Sequence, residues 1–149
     1  MDRIQAKLQQ VWGYDELRSP QREIIECLLA NRDALIVMPT GGGKSLCFQI
    51  PALLSSGVTL VISPLVALME NQVQELTDKG LAAGLLHSEL SVAHRKQTLQ
   101  ALENRHLRLL YISPETLLTP PVWLRLCHPE LQIDRLILEI GGTGDEMER

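Results

Sequence analysis

Aromatic side chains are nearly missing from this chain: two Trp, two Tyr and one Phe in 149 residues, or 3%. Its core must therefore be aliphatic, and a surface that stacks bases on aromatic rings has little to work with. Cysteine is also sparse. Cys27, Cys47 and Cys127 are odd in number, far apart and form no CxxC pair, which argues against a disulfide framework or zinc site and for free thiols in a reducing compartment. His87, His94, His106 and His128 show no ligand spacing and read as ordinary surface or loop residues. No excess of positive charge is present. The formal net charge is −4, so a nucleic-acid role would have to rest on a local patch. Long apolar runs are lacking too: "GVTLVISPLVALM" is broken by Ser63 and Pro64 and is too short to span a bilayer. The opening "MDRIQAKLQQVW" carries charges and glutamines, unlike a signal peptide. The expectation is a soluble, cytoplasmic protein with no membrane partner.

What is present is an alternation of apolar segments. Ile4, Leu8, Val11 and Trp12 follow helical spacing, with Gly13 suited to the position after the helix. Ser19-Pro20 reads as N-cap and first residue of a second helix, with Ile24, Ile25, Leu28 and Leu29 as its buried stripe. "ALIVM" (34–38) reads as a buried strand, followed by a glycine loop and a helix to about Leu54. Further strands are expected at 58–63, 83–87, 107–113 and 133–138. The intervening helices are expected over Leu65–Leu76 (closed by Gly80), Val92–Glu103 and the "VWLRLC" stretch. Strands that are apolar throughout and separated by helices imply an α/β fold, a mostly parallel sheet with helices on both faces. After Leu138 the texture changes abruptly to the polar "EIGGTGDEMER".

The segment with the clearest chemistry is "MPTGGGKSLCFQIPAL" (38–53). A strand, a glycine turn and a helix opening with Lys-Ser is the setting of a phosphate-binding loop. Glycines turn backbone N–H groups inward without a Cβ in the way, and the new helix adds its positive end. Thr40, Gly41, Gly42, Gly43, Lys44 and Ser45 are the candidate phosphate ligands. Lys44 would reach the β- and γ-phosphates of ATP, and the Ser45 hydroxyl would ligate Mg²⁺. The strict G-x-x-x-x-G-K-[ST] pattern fails only at Met38, and helicase-type loops often read P-T-G-x-G-K-[ST]. Upstream, Gln21 stands 23 residues before Lys44, where its amide could pair with an adenine edge. Tyr14 or Arg18 could stack on the ring. Taken alone, Gln21 reads first as a polar residue in a helix's first turn.

From about residue 10 to about residue 138 the chain resembles the RecQ family of superfamily 2 DNA helicases. "WGYDELRSPQ" is similar to that family's adenine-recognition motif, with Leu17 where an aromatic is usual. "MPTGGGKSLCFQIPAL" is similar to motif I, with Phe48 in place of a common tyrosine. "VISPLVALMENQVQEL" is similar to motif Ia, and "LLYISPETL" to a later segment ending in Pro-Glu. "LLHSELS" occupies the place of an Asn-Ser segment, with His87 replacing the Asn. The resemblance implies an incomplete RecA-like P-loop domain that binds ATP and Mg²⁺, touches single-stranded or partly duplex DNA and serves repair and recombination, near the nucleoid if active. It implies helices with the adenine motif over 1–33, a partial motor domain over 34–138 and a divergent tail over 139–149. Ser63, Pro64, Leu65, Ser113, Pro114 and Glu115 become candidates for nucleic-acid backbone contacts, through N–H groups exposed at strand ends. Both turns also read as ordinary β-to-α turns.

The family's next element ends a strand in Asp-Glu-Ala-His. Here Glu139 stands where the Asp belongs and Ile140 where the Glu belongs, so no general base is found and turnover by this chain alone is not expected. A shifted reading frame after codon 138 is the favoured account of the break, with a divided or degraded gene and a deliberate fragment as alternatives. A separate chain supplying the second motor domain is a possible partner. The competing readings are a non-catalytic nucleotide- or DNA-binding module and a non-functional remnant.

Overall fold

The computed structural model describes residues 2–36 and 43–139. These form two compact units, an N-terminal one ending at Leu54 and a second beginning at Ser55.

The described part of the first unit is helical: α1 (Arg3–Trp12), α2 (Gln21–Leu29) and α3 (Lys44–Leu53). The Asp2 carboxylate caps α1 by accepting from the Gln5 N–H at 2.8 Å. That bond, helped by Arg22 at 2.8 Å, holds the Asp2 carboxyl below its ordinary pKa. Gly13 ends α1 with φ +74°, the left-handed conformation that glycine adopts most cheaply. Helix α2 starts one residue later than expected: Pro20 is its cap, and Ser19 makes no capping bond. Ile4, Leu8, Ile25, Leu46 and Ile50 form the shared core.

The second unit holds β1 (Val58–Ile62), α4 (Val66–Asp78), β2 (Ala83–Leu86), α5 (Val92–Glu103) and β3 (Leu109–Ile112). Two short helices, α6 (Pro114–Leu117) and α7 (Pro120–Leu126), then lead to β4 (Ile133–Leu138). The strand order is β2-β3-β1-β4, all parallel. The chain moves one way from β1 to β2 and back the other way from β2 to β3. Right-handed crossovers therefore place α4 on one face and α5 on the other. Leu102 of α5 and Val122 and Leu126 of α7 pack with Leu60, Leu86, Leu110 and Ile112 in one cluster, while α4 touches β2 and β3 and buries Met69 and Leu76. The expected sheet with helices on both faces is what forms.

One extra residue interrupts the β1–β4 ladder. Val58 pairs with Ile133 but Thr59 with Arg135, which leaves Asp134 as a bulge. Its carboxylate accepts from the Gly57 N–H at 2.8 Å. A Cβ on Gly57 would lie 2.5 Å from the Gln132 carbonyl, so only glycine fits beneath the bulge.

The strand expected at 34–38 is corrected by the structure. Ala34–Ile36 form no strand, and Leu35 is 93% exposed; Val37 and Met38 lie outside the described residues. An apolar, β-branched run signals a side-chain preference, but a strand needs a ladder partner, and these three residues have none among the described residues.

Candidate nucleotide and nucleic-acid sites

Helix α3 is buried almost all round, from Leu46 to Ala52, so its amino end is held firmly. Gly43 caps it with φ +77°, and among the described residues no side chain caps the first turn. The turn's N–H groups are thus left for an outside acceptor. Lys44, the first residue of α3, places its Nζ in a buried position with no hydrogen-bond partner among the described residues. A buried ammonium without a partner is costly, and a polyphosphate is the kind of group that would complete it. The Ser45 side chain stands beside it, partly buried. Thr40, Gly41 and Gly42 lie outside the described residues.

Gln21, the first residue of α2, is only 3% exposed. Its Oε1 accepts from the Arg18 N–H at 2.8 Å, and its Nε2 donates to the Gly43 carbonyl at 3.2 Å. A Cβ on Gly43 would collide with that amide. The third glycine of the triplet is therefore fixed twice over, by its φ and by the approach of Gln21. Sequence reasoning proposed Gln21 and Gly43 as ligands and missed the bond between them. Tyr14 and Arg18 are exposed, and a neighbouring cavity of about 310 Å³ is lined by Gln5, Glu16, Leu17, Ser19, Arg22 and Glu23, not by either of them. Cys47, one turn into α3, is buried, and its thiol is pushed up to about 11 by that burial.

In the second unit, the carboxyl ends of the strands carry the other candidates. Ser63 follows β1 and Ser113 follows β3, and both are fully buried. Their N–H groups are consumed by the sheet: Ser63 donates to the Ile112 carbonyl at 3.2 Å, Ser113 to the Leu86 carbonyl at 3.1 Å. The Leu65 N–H donates to Ser63 Oγ at 3.2 Å, and Ser113 Oγ donates to Thr116 Oγ1 at 2.8 Å. The expected exposure of these N–H groups is therefore corrected, because the strand ladder and the local turns use them first. At the rim, Pro64 and Glu115 are exposed. Helix α4 begins just behind Leu65 with no side-chain cap, so its first-turn N–H groups face the same edge. Glu139 follows β4 and donates its N–H to the Ile62 carbonyl at 3.0 Å; Ile140 lies outside the described residues.

The histidines divide. His94, His106 and His128 are exposed as expected; His87 lies outside any strand or helix, as a loop residue does, but is 2% exposed, which corrects its reading as a surface residue. It follows the buried strand β2 directly and inherits the burial of that strand's end. The three cysteines are free. Among the described residues no cluster of His, Cys, Asp or Glu could hold a metal, and no helix is long and apolar enough to cross a membrane.

A four-stranded parallel sheet flanked by helices in one unit, and a glycine-capped helix opening with Lys-Ser in the other, define an α/β class that carries a phosphate-loop sequence signature. The chain belongs to the DEAD/DEAH box helicase family, whose profile matches residues 18–132. Membership implies use of ATP, usually with Mg²⁺. Within that family the resemblance to RecQ helicases is borne out. The chain is 56% identical to the ATP-dependent DNA helicase RecQ of Synechocystis sp., over 91% of its own length and 28% of that protein's. It is 47% identical to the ATP-dependent DNA helicase RecQ of Haemophilus influenzae, over 75% and 18% respectively. The chain thus spans less than a third of these relatives. Among solved structures it resembles the DUF1998 helicase MrfA bound to DNA, with a TM-score of 0.64 and 25% identity, over 78% of this chain and 17% of that one.

Proposed function

We propose that this chain is the ATP-binding portion of a RecQ-like ATP-dependent DNA helicase, and that it does not unwind DNA by itself. The observation that carries the reading is the Lys44 ammonium, buried and without a partner among the described residues at the uncapped start of α3. In this reading Thr40, Gly41, Gly42, Gly43 and Lys44 cradle the triphosphate, and Ser45 ligates Mg²⁺. The metal's chemistry when bound is to draw charge from the phosphate oxygens. Tyr14, Arg18 and Gln21 receive the adenine. Gln21, already bonded to Gly43, makes base recognition and loop geometry depend on one side chain. Residues 1–33 carry the adenine motif and 34–138 the partial motor domain, with 139–149 standing apart.

Single-stranded DNA lies, in this reading, along the strand-end turns Ser63–Leu65 and Ser113–Glu115. Phosphates meet the uncapped first turn of α4 there, in place of the serine N–H groups already in use. Glu139 supplies a carboxylate where the family's Asp stands, one methylene longer, and Ile140 supplies none. Loss of a positioned general base costs about 10²–10⁴ in rate, which supports binding without appreciable turnover and favours the second reading, a non-catalytic nucleotide- or DNA-binding module.

Calorimetric titration of the chain with ATP in excess Mg²⁺ tests this. The wild-type chain should bind and Lys44→Ala should bind about ten- to a hundredfold more weakly, as expected for loss of a charge-assisted contact. No heat at millimolar ATP, or equal binding by the variant, would refute the phosphate site. Phosphate release stimulated by single-stranded DNA would refute the non-catalytic reading.

A further inference from the structure

His87 has two ring nitrogens with two different neighbours. Nδ1 accepts from the Glu89 N–H at 3.1 Å. This closes a turn from residue i to i+2, as an asparagine side chain does with its own backbone. A nitrogen that receives an N–H carries no proton of its own, so in the neutral ring the proton sits on Nε2. Nε2 is buried and lies 3.3 Å from Glu70 Oε2 on α4. That is within charge-contact range but off the angle of a hydrogen bond, and no other polar atom partners it among the described residues. Glu70 itself is half exposed, and it sits one turn beyond the uncapped start of α4. The residue before His87, Leu86, accepts the N–H of Ser113. The ring therefore stands between the turn that follows β2 and helix α4, one residue from the Leu86 carbonyl that anchors the turn after β3.

We propose that His87 is a positioning residue for the strand-end edge. Its Nδ1 holds the 87–89 turn while its Nε2–H, 3.3 Å from Glu70 Oε2 but not aligned as a hydrogen bond, draws the first turns of α4 to the end of β2 by charge–dipole attraction. The inference rests on the reading of that edge as the nucleic-acid face. It also accounts for the histidine where the resembling RecQ segment has asparagine. An asparagine oxygen can close the same turn, but its other polar atom, Nδ2, is one bond nearer the backbone than the histidine Nε2 and so reaches less far toward Glu70. Histidine keeps the turn and adds the tie to α4.

Three measurements on the 149-residue chain decide it. Long-range ¹H–¹⁵N spectra at neutral pH should show the His87 proton on Nε2. Amide exchange in α4 over Met69–Val73 should quicken about two- to fivefold in His87→Asn and Glu70→Ala, the range for a partly exposed polar pair. Glu70→Gln, which keeps an acceptor, should restore protection, and β3 should be unaffected. Anisotropy with labelled oligothymidylate should then show binding weakened by a similar factor in His87→Asn and Glu70→Ala, with ATP affinity unchanged. A proton on Nδ1, or α4 exchange equal to wild type in both variants, overturns the tie. Normal α4 exchange in Glu70→Gln together with loosened exchange in His87→Asn and Glu70→Ala supports it. If the wild-type chain fails to bind oligothymidylate, the nucleic-acid reading of the edge falls, and the spectra and exchange still decide the tie by themselves.

Discussion

Burial raises the Cys47 thiol from 9.0 to about 11, and the direction fixes a pH dependence. A thiol harder to ionise in the folded chain than in the unfolded one stabilises the fold fully below the unfolded value. That contribution is lost as pH rises through the folded value. The stability gap between wild type and Cys47→Ala should therefore shrink between about pH 9 and pH 11, measured by urea midpoints at fixed temperature. A gap that stays constant across that range would show that the thiol titrates alike in both states. The same scale explains the glycine triplet's last member. Gly43 meets two independent demands, a positive φ and the close approach of the Gln21 amide, so a methyl group there displaces the contact that joins the start of α2 to the start of α3. Gly43 could be picked out from the motif alone, whereas the neighbour pressing on it could not, because that neighbour is 22 residues away in the chain.

Elements with strong local signals emerged from the sequence with their observed bounds. Helix α5 runs from Val92 to Glu103 as expected, because Ser91 caps it by accepting the His94 N–H at 3.1 Å. Ser91→Ala should cost about 1 kcal/mol, read as faster amide exchange through α5 with α4 unchanged; equal exchange would mean that packing alone fixes the helix start. Strand β4 was likewise legible over Ile133–Leu138 from its apolar run. Where the outcome depends on distant partners, local reading fell short. Ser19-Pro20 has the composition of a helix start, yet α2 begins at Gln21. Ala34–Ile36 have the composition of a strand without a ladder. His87 looks like a surface residue until the end of β2 and α4 close over it. In the candidate nucleic-acid turns, the serines were correctly placed at strand ends, but the sheet had already claimed their N–H groups.

On the scale of the whole molecule, β4 ends the strand order among the described residues, and its Leu136 and Leu138 are 64% and 72% exposed. They share a face with Leu60 and Ile62, but the helix cover from α5 and α7 does not extend to them. An apolar edge of this kind invites association. Sedimentation velocity should show concentration-dependent self-association, suppressed by the double substitution Leu136→Lys and Leu138→Lys; a strictly monomeric wild type, or a double variant that associates equally, would contradict it. The bulge at Asp134 decides which residues those are. Side chains alternate across a strand, so one inserted residue inverts the parity of everything downstream. Were Asp134 to pair with Thr59 in a regular ladder, Leu136 and Leu138 would turn to the α4 side and Arg135 and Ile137 would take the face they now occupy. Glu139, next along the chain, would change sides as well, so one bulged aspartate sets which face each side chain of the strand's exit takes.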